Sequence, residues 1–156
     1  MPTPLVASKL GVVGYSGFGG GGIDILARVG TGGRATYLCV IEFKDETVKT
    51  EPPTVVIEQA IKYAVFVREL LRNETVGDKW WRLFGFGGKI PKKLLIHAVC
   101  AMPHDIILSD TNFANWKIAI GQDVIQLDYI YFKEFENEIT SLLTSLPYGK
   151  RSEEIT

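Results

Sequence analysis

Two acidic residues interrupt apolar, strand-like runs in this chain of 156 residues. Asp24 lies within Ile23-Asp24-Ile25-Leu26-Ala27, and Glu42 closes Tyr37-Leu38-Cys39-Val40-Ile41. Charge inside an apolar strand is costly unless it is paired or bound to a metal. Side chains alternate along a strand, so Glu42 and Lys44 share one face and Phe43 takes the other. Gln59 and Tyr63 stand four residues apart in a helical stretch, which stacks them on one side of it. Phosphodiester hydrolysis asks for groups of this kind. It must position a water, neutralise charge growing on the phosphoryl oxygens and stabilise the leaving oxygen. Mg²⁺ serves all three needs and prefers one or two carboxylates together with waters and phosphate oxygens. Taken singly, the same residues have ordinary readings. Asp24 with Arg28 or Lys44 makes a salt bridge at a sheet edge, and Glu42 and Lys44 are solvated at a strand end.

The elements that would hold these groups follow from periodicity and turn residues. Residues 5–15 read as a first strand, and Gly17 to Gly22 as a glycine turn. That turn matches Gly-x-Gly-x-x-Gly, but a strand follows it where a dinucleotide fold needs a helix. Ile23–Val29 reads as a second strand, Gly30 to Gly33 as a second turn and Ala35–Lys44 as a third strand, an antiparallel meander. Pro52-Pro53 suits a helix approach, and the helix runs from about Thr54 to Arg72 with Ile57, Ala60, Ile61, Ala64, Val67 and Leu71 on its core face. Gln59 and Tyr63 border that face and look toward the strand of Glu42 and Lys44. Asn73–Pro91 reads as a long aromatic connection, and Lys92–Met102 as a nearly all-apolar central strand, parallel to the third through the helical crossover. Trp116–Ile120 and Val124–Phe132 are two further strands around Gly121-Gln122-Asp123. Glu134–Leu146 reads as an amphipathic helix with Phe135, Ile139, Leu142, Leu143 and Leu146 on one stripe. The order is β-β-β-α-β-β-β-α in one domain, residues 1–149, followed by a loose tail, residues 150–156.

The order Asp24, then Glu42-x-Lys44, then Gln59-x-x-x-Tyr63 resembles the PD-(D/E)XK nuclease superfamily, and its Gln-x-x-x-Tyr element resembles the RecB-like branch. The resemblance covers roughly Gly14 to Arg72. It implies an α/β, restriction-endonuclease-like core, a central mixed β-sheet flanked by helices. It implies a Mg²⁺-dependent nuclease (Mn²⁺ as a substitute) that hydrolyses DNA. Asp24, Glu42 and the backbone carbonyl of Phe43 would hold the metal. Lys44 would orient or help deprotonate the attacking water and stabilise negative charge. Gln59 and Tyr63 would hold the site or contact the substrate backbone. The family core opens with a helix that often carries a Glu, and no Glu precedes Asp24 here. That helix is absent, or comes from a homodimer partner or another domain, or belongs to a longer protein, or the expected C-terminal helix fills its place.

Composition bounds the rest. A length of 156 residues and 46% hydrophobic content fit one globular domain. Lys+Arg 17 against Asp+Glu 18 leaves a net charge of −1, which is not the strongly basic balance expected of binding nucleic acid by bulk charge, although a nuclease can work with a local basic groove. Lys79-Trp80-Trp81-Arg82 joins cations to aromatic rings and suits base stacking and phosphate contact, or a dimer interface. Cys39 and Cys100 sit in apolar runs without Cys-x-x-Cys spacing and read as reduced core thiols. His97 reads as a core histidine, and His104-Asp105 lacks a nucleophile at helpful spacing. No zinc spacing occurs. Nothing resembles a signal peptide or a membrane span, so a cytoplasmic protein is expected. Two rival functions stand beside the nuclease: a nuclease-like domain that binds nucleic acid or a protein without cutting, and a structural domain that dimerises through Trp80-Trp81.

Overall fold

In a computed structural model, residues 22–30, 37–44, 51–103, 111–136, 138–146 and 153–154 are described. Strand β1 (Ile25–Val29) pairs antiparallel with β2 (Tyr37–Phe43), with Ile25 opposite Ile41 and Val29 opposite Tyr37. Helix α1 (Pro53–Arg72) then carries the chain back across one face, and a short helix α2 (Gly77–Leu83) packs on it. Strand β3 (Leu95–Pro103) enters beside β2 and parallel to it, with Leu38 opposite Ile96 and Glu42 opposite Cys100. A hairpin, β4 (Lys117–Ile120) and β5 (Asp123–Phe135), lays β5 parallel to the other side of β3. Strands β6 (Glu138–Thr144) and β7 (Glu153–Glu154) complete a sheet of seven strands in the order β1-β2-β3-β5-β6-β7, with β4 also on β5. The protein is an α/β fold with a mixed sheet.

Parallel pairing of β2, β3 and β5 follows from the α1 crossover, since a hairpin cannot join parallel neighbours. Their central side chains are buried on both faces, which explains why the run Ile96 to Met102 is apolar except for the buried His97. The larger core lies between sheet and helix. There Leu38, Val40, Ile96, Ala98, Cys100 and Met102 meet Val56, Ile57, Ala60, Ala64, Val67 and Leu71. Cys39, Ile41, Val99 and Ala101 form a smaller cluster on the opposite face. Ala60 and Ala64 are fully buried and let the helix lie close to the strands.

Several expectations are corrected. The Glu134–Leu146 segment is not a helix: β5 runs on to Phe135, the chain reverses at Glu136 with φ 52°, and β6 returns antiparallel to β5. The apolar stripe is split instead of sharing one covered face, since Ile139 stays 51% and Leu142 37% exposed while Leu143 and Leu146 pack against the two core clusters. Pairing instead satisfies the backbone groups along the outer edge of β5, and the β-branched Ile139, Thr140 and Thr144 favour it. Glu153–Glu154, inside the stretch read as a loose tail, pairs with β6. Asn73–Pro91 is not all loop, because it folds as α2 around the buried Trp81. The strand expected at 5–15, most of the glycine turn after it and His104-Asp105 lie outside the described residues. No helix among the described residues is long and apolar enough to cross a membrane.

Candidate active site

The outer end of β2 gathers the charged residues. Even-numbered side chains of β2 face α1, so Glu42 continues the row of Leu38 and Val40 and is only 6% exposed. Lys44 follows on the same side, and its backbone N–H donates to the Ala101 carbonyl at 2.9 Å, extending the β2–β3 ladder by one residue. Its ammonium donates to Glu42 Oε1 at 3.1 Å and to Gln59 Oε1 of α1 at 3.1 Å. The sheet therefore presents the acid and the cation, and α1 fixes the cation from above. Asp24 stands just before β1, one residue beyond the Ile25–Ile41 pair, and its Oδ2 accepts the Phe43 N–H at 2.9 Å. That bond ties Asp24 to the strand that carries Glu42.

Burial raises the Glu42 carboxyl above the usual range, and the neighbouring Asp24 charge raises it further, against the pull of Lys44. Burial alone would lower Lys44, yet the hydrogen bond and charge of Glu42 outweigh it, so the ammonium is held above its ordinary value. The same contacts hold the ammonium in place between strand and helix. Tyr63 is raised by burial and then by the Glu42 and Asp24 charges, so its hydroxyl stays protonated and can donate. Glu42 uses one oxygen for Lys44. Its other, Oε2, is buried and has no hydrogen-bond partner among the described residues. A buried, half-satisfied carboxylate is an expensive feature in a fold and suits a site that takes a cation.

Asp24, Glu42, Lys44, Gln59 and Tyr63 therefore meet at one end of the sheet, as their spacing implies. Arg28 does not pair with Asp24. Its guanidinium donates to the Gly85 carbonyl at 2.6 Å and lies 5.9 Å from the Phe86 ring centre. Of the proposed nucleic-acid contacts, Lys79 and Arg82 are exposed on α2 and Trp80 is half-buried. Trp81 is not available for base stacking. Its side chain is buried, its ring stacks on Phe86 at 4.0 Å, and its indole N–H donates to the Gly87 carbonyl at 3.2 Å. Cys39 and Cys100 are free thiols on opposite faces of the sheet. His97 is buried and bonds Asp128 through Nδ1 at 2.7 Å, and Asp128 also accepts the Ser145 hydroxyl at 2.8 Å.

One residue at the site escaped the sequence pattern. Glu51 reaches Lys44 Nζ with Oε2 at 3.4 Å. Its only signal is its place on the approach to α1, about two turns ahead of Gln59. Among the described residues, no three His, Cys, Asp or Glu side chains are grouped closely enough to hold a metal by themselves. Mg²⁺ does not need three, since one or two carboxylates with retained waters suffice. No protein-family model, no curated protein and no solved structure matches this chain.

Proposed function

We propose that the protein is a Mg²⁺-dependent nuclease that hydrolyses DNA phosphodiester bonds, built on a restriction-endonuclease-like core of the PD-(D/E)XK type. The observation that carries this reading is the buried, unpartnered Glu42 Oε2 beside Asp24, with Lys44 bonded to Gln59 across the sheet–helix gap. Asp24 and Glu42 would hold the ion, with the Phe43 carbonyl between them. The ion would supply charge neutralisation at the phosphoryl oxygens and a polarised water. Lys44 keeps its proton, aligns the water and faces the developing negative charge. Gln59 fixes the Lys44 ammonium by accepting one of its hydrogens. Tyr63 offers a neutral hydroxyl donor to a phosphate oxygen. Lys79, Trp80 and Arg82 on α2 would contact the nucleic-acid backbone away from the scissile bond.

A second reading is a module that binds nucleic acid or a protein partner without cutting. The clamp on Lys44 favours it, because that ammonium already pairs with both Glu42 and Glu51. Cleavage of labelled single- and double-stranded DNA with Mg²⁺ or Mn²⁺ separates the two. Cutting by the wild type, lost in both Asp24→Ala and Lys44→Ala, assigns the centre. Activity that persists in both variants places the chemistry elsewhere, and no cutting with either metal favours the binding module.

A further inference from the structure

Glu51 and Glu42 reach the same ammonium from different elements. Glu42 comes from the sheet and Glu51 from the residue ahead of Pro52, where the chain turns into α1. Their oxygens lie 3.1 and 3.4 Å from Lys44 Nζ, so the two carboxylates face each other across a cation. The pair differs in access. The Glu42 side chain is 8% exposed and the Glu51 side chain 37%, which puts Glu51 on the solvent side of the cluster.

We propose that Glu51 supports the divalent-cation site from outside its inner coordination, through a retained water, and that Lys44 is the resident cation which the arriving ion displaces from beside Glu42 and Glu51. The charge balance requires a partner of this kind. Asp24, Glu42 and Glu51 against Lys44 leave two negative charges uncompensated, which one divalent cation neutralises. The unpartnered Glu42 Oε2, inside a side chain more than nine-tenths buried, marks where inner coordination is vacant. Mg²⁺ sheds water reluctantly, so Glu51, whose side chain is part-exposed although its Oε2 beside Lys44 is buried and has no hydrogen-bond partner among the described residues, engages the ion through one of its retained waters. The inference takes its cation from the nuclease reading and its geometry from the Lys44 clamp alone.

Mn²⁺ binding to the full chain, measured by titration calorimetry at pH 7, tests it without any appeal to activity. Glu51→Gln should weaken binding about tenfold or more, the scale on which groups supporting a metal site act. Glu51→Asp should keep most of the affinity. Lys44→Met should tighten binding, because no internal ammonium then competes. Glu51→Gln within twofold of wild type, or loss of its folding cooperativity, would overturn the assignment. Weaker or unchanged binding in Lys44→Met would overturn the displacement. A wild type that takes up neither Mn²⁺ nor Mg²⁺ would remove both the cation site and the nuclease reading. Metal binding that follows the expected order in a protein that cuts no DNA would sink the nuclease reading and leave Glu51 in place.

Discussion

Helix α1 links two buried carboxylates that the fold treats in opposite ways. Near the C-terminal end of α1, Asp123 at the start of β5 accepts from Arg68 Nε at 2.8 Å, Arg72 Nε at 2.9 Å and the Leu94 N–H at 2.9 Å. Near its N-terminal end, Glu42 at the close of β2 has Lys44 on one oxygen and, among the described residues, no hydrogen-bond partner on the other. Both are nearly buried, 2% exposed for Asp123 and 6% for Glu42. Burial works against the charge of Asp123, yet Arg72, the Leu94 N–H and Arg68 overcome it and hold its carboxyl down to about 2. At Glu42 burial wins, and Asp24 adds to it. The same cost of burial is thus offset at one end of the helix and left standing at the other. A fold tolerates the second condition where the group has a use besides stability.

The sharpest way to break this comparison is to neutralise each acid. Asp123→Asn removes the charge and one of the two acceptor oxygens that two guanidinium groups and a buried N–H share. It should cost about 3 kcal/mol in urea unfolding, in the range for breaking a buried ion pair. Glu42→Gln removes a charge that the folded state disfavours, and Lys44 keeps Gln59 and Glu51 as neighbours. Its loss should stay under about 1 kcal/mol, the size of one ordinary hydrogen bond. Equal losses in the two variants would erase the distinction between a structural and a functional acid.

Acid titration sharpens the same contrast with a sign. A carboxyl held low in the folded state contributes stability that is present above its unfolded value and lost as pH falls through the folded one. For Asp123, from the ordinary 3.8 down to about 2, the loss falls between about pH 4 and pH 2. It amounts to about 2 kcal/mol at 1.36 kcal/mol per unit. Glu42 is raised, so its sign is reversed: its penalty stands above its folded value and is relieved as pH falls. Stability curves of Asp123→Asn should therefore be flatter than wild type below pH 4. A curve that runs parallel to wild type would show that Asp123 does not carry the acid limb.

The helix that joins the two acids was also the most legible part of the sequence. Its apolar spacing fixed α1 within one residue of Pro53–Arg72, and the i, i+4 spacing put Gln59 and Tyr63 at the site. The parallel placement of β3 followed from the crossover. Local pattern failed where the deciding partner lies far away in sequence. The Phe135 to Leu146 stripe has a helical period, but the free edge of β5 makes it a strand, and no window on the segment itself contains that edge. Glu51 was hidden for the same reason, because it meets Lys44 through the fold and not through a motif. Trp80 and Trp81 look alike in sequence, yet one turn of α2 leaves the first half-buried and sends the second into the core. Arg68 and Arg72 read as ordinary helix-end cations until Asp123 arrives beside them from β5.

The smallest expected effect concerns the cysteines, and it reports on the Glu42 end directly. Cys100 is the register partner of Glu42 on β3, and its thiol is pushed up to about 12 by burial and then by the Glu42 charge. Cys39, on the other face, is pushed up to about 12 by burial and then by Asp128. The thiolate is the reactive form, so neither thiol should react with an aromatic disulfide reagent at pH 8 in the folded protein, and both should react in urea. Filling the proposed cation site should leave Cys100 protected, since burial is the larger cause of its shift. Rapid native labelling of Cys100 with Cys39 still protected would mean that the Glu42 end of the sheet opens in solution. The unpartnered Glu42 oxygen would then be wet, and the comparison with Asp123 would reduce to one of access.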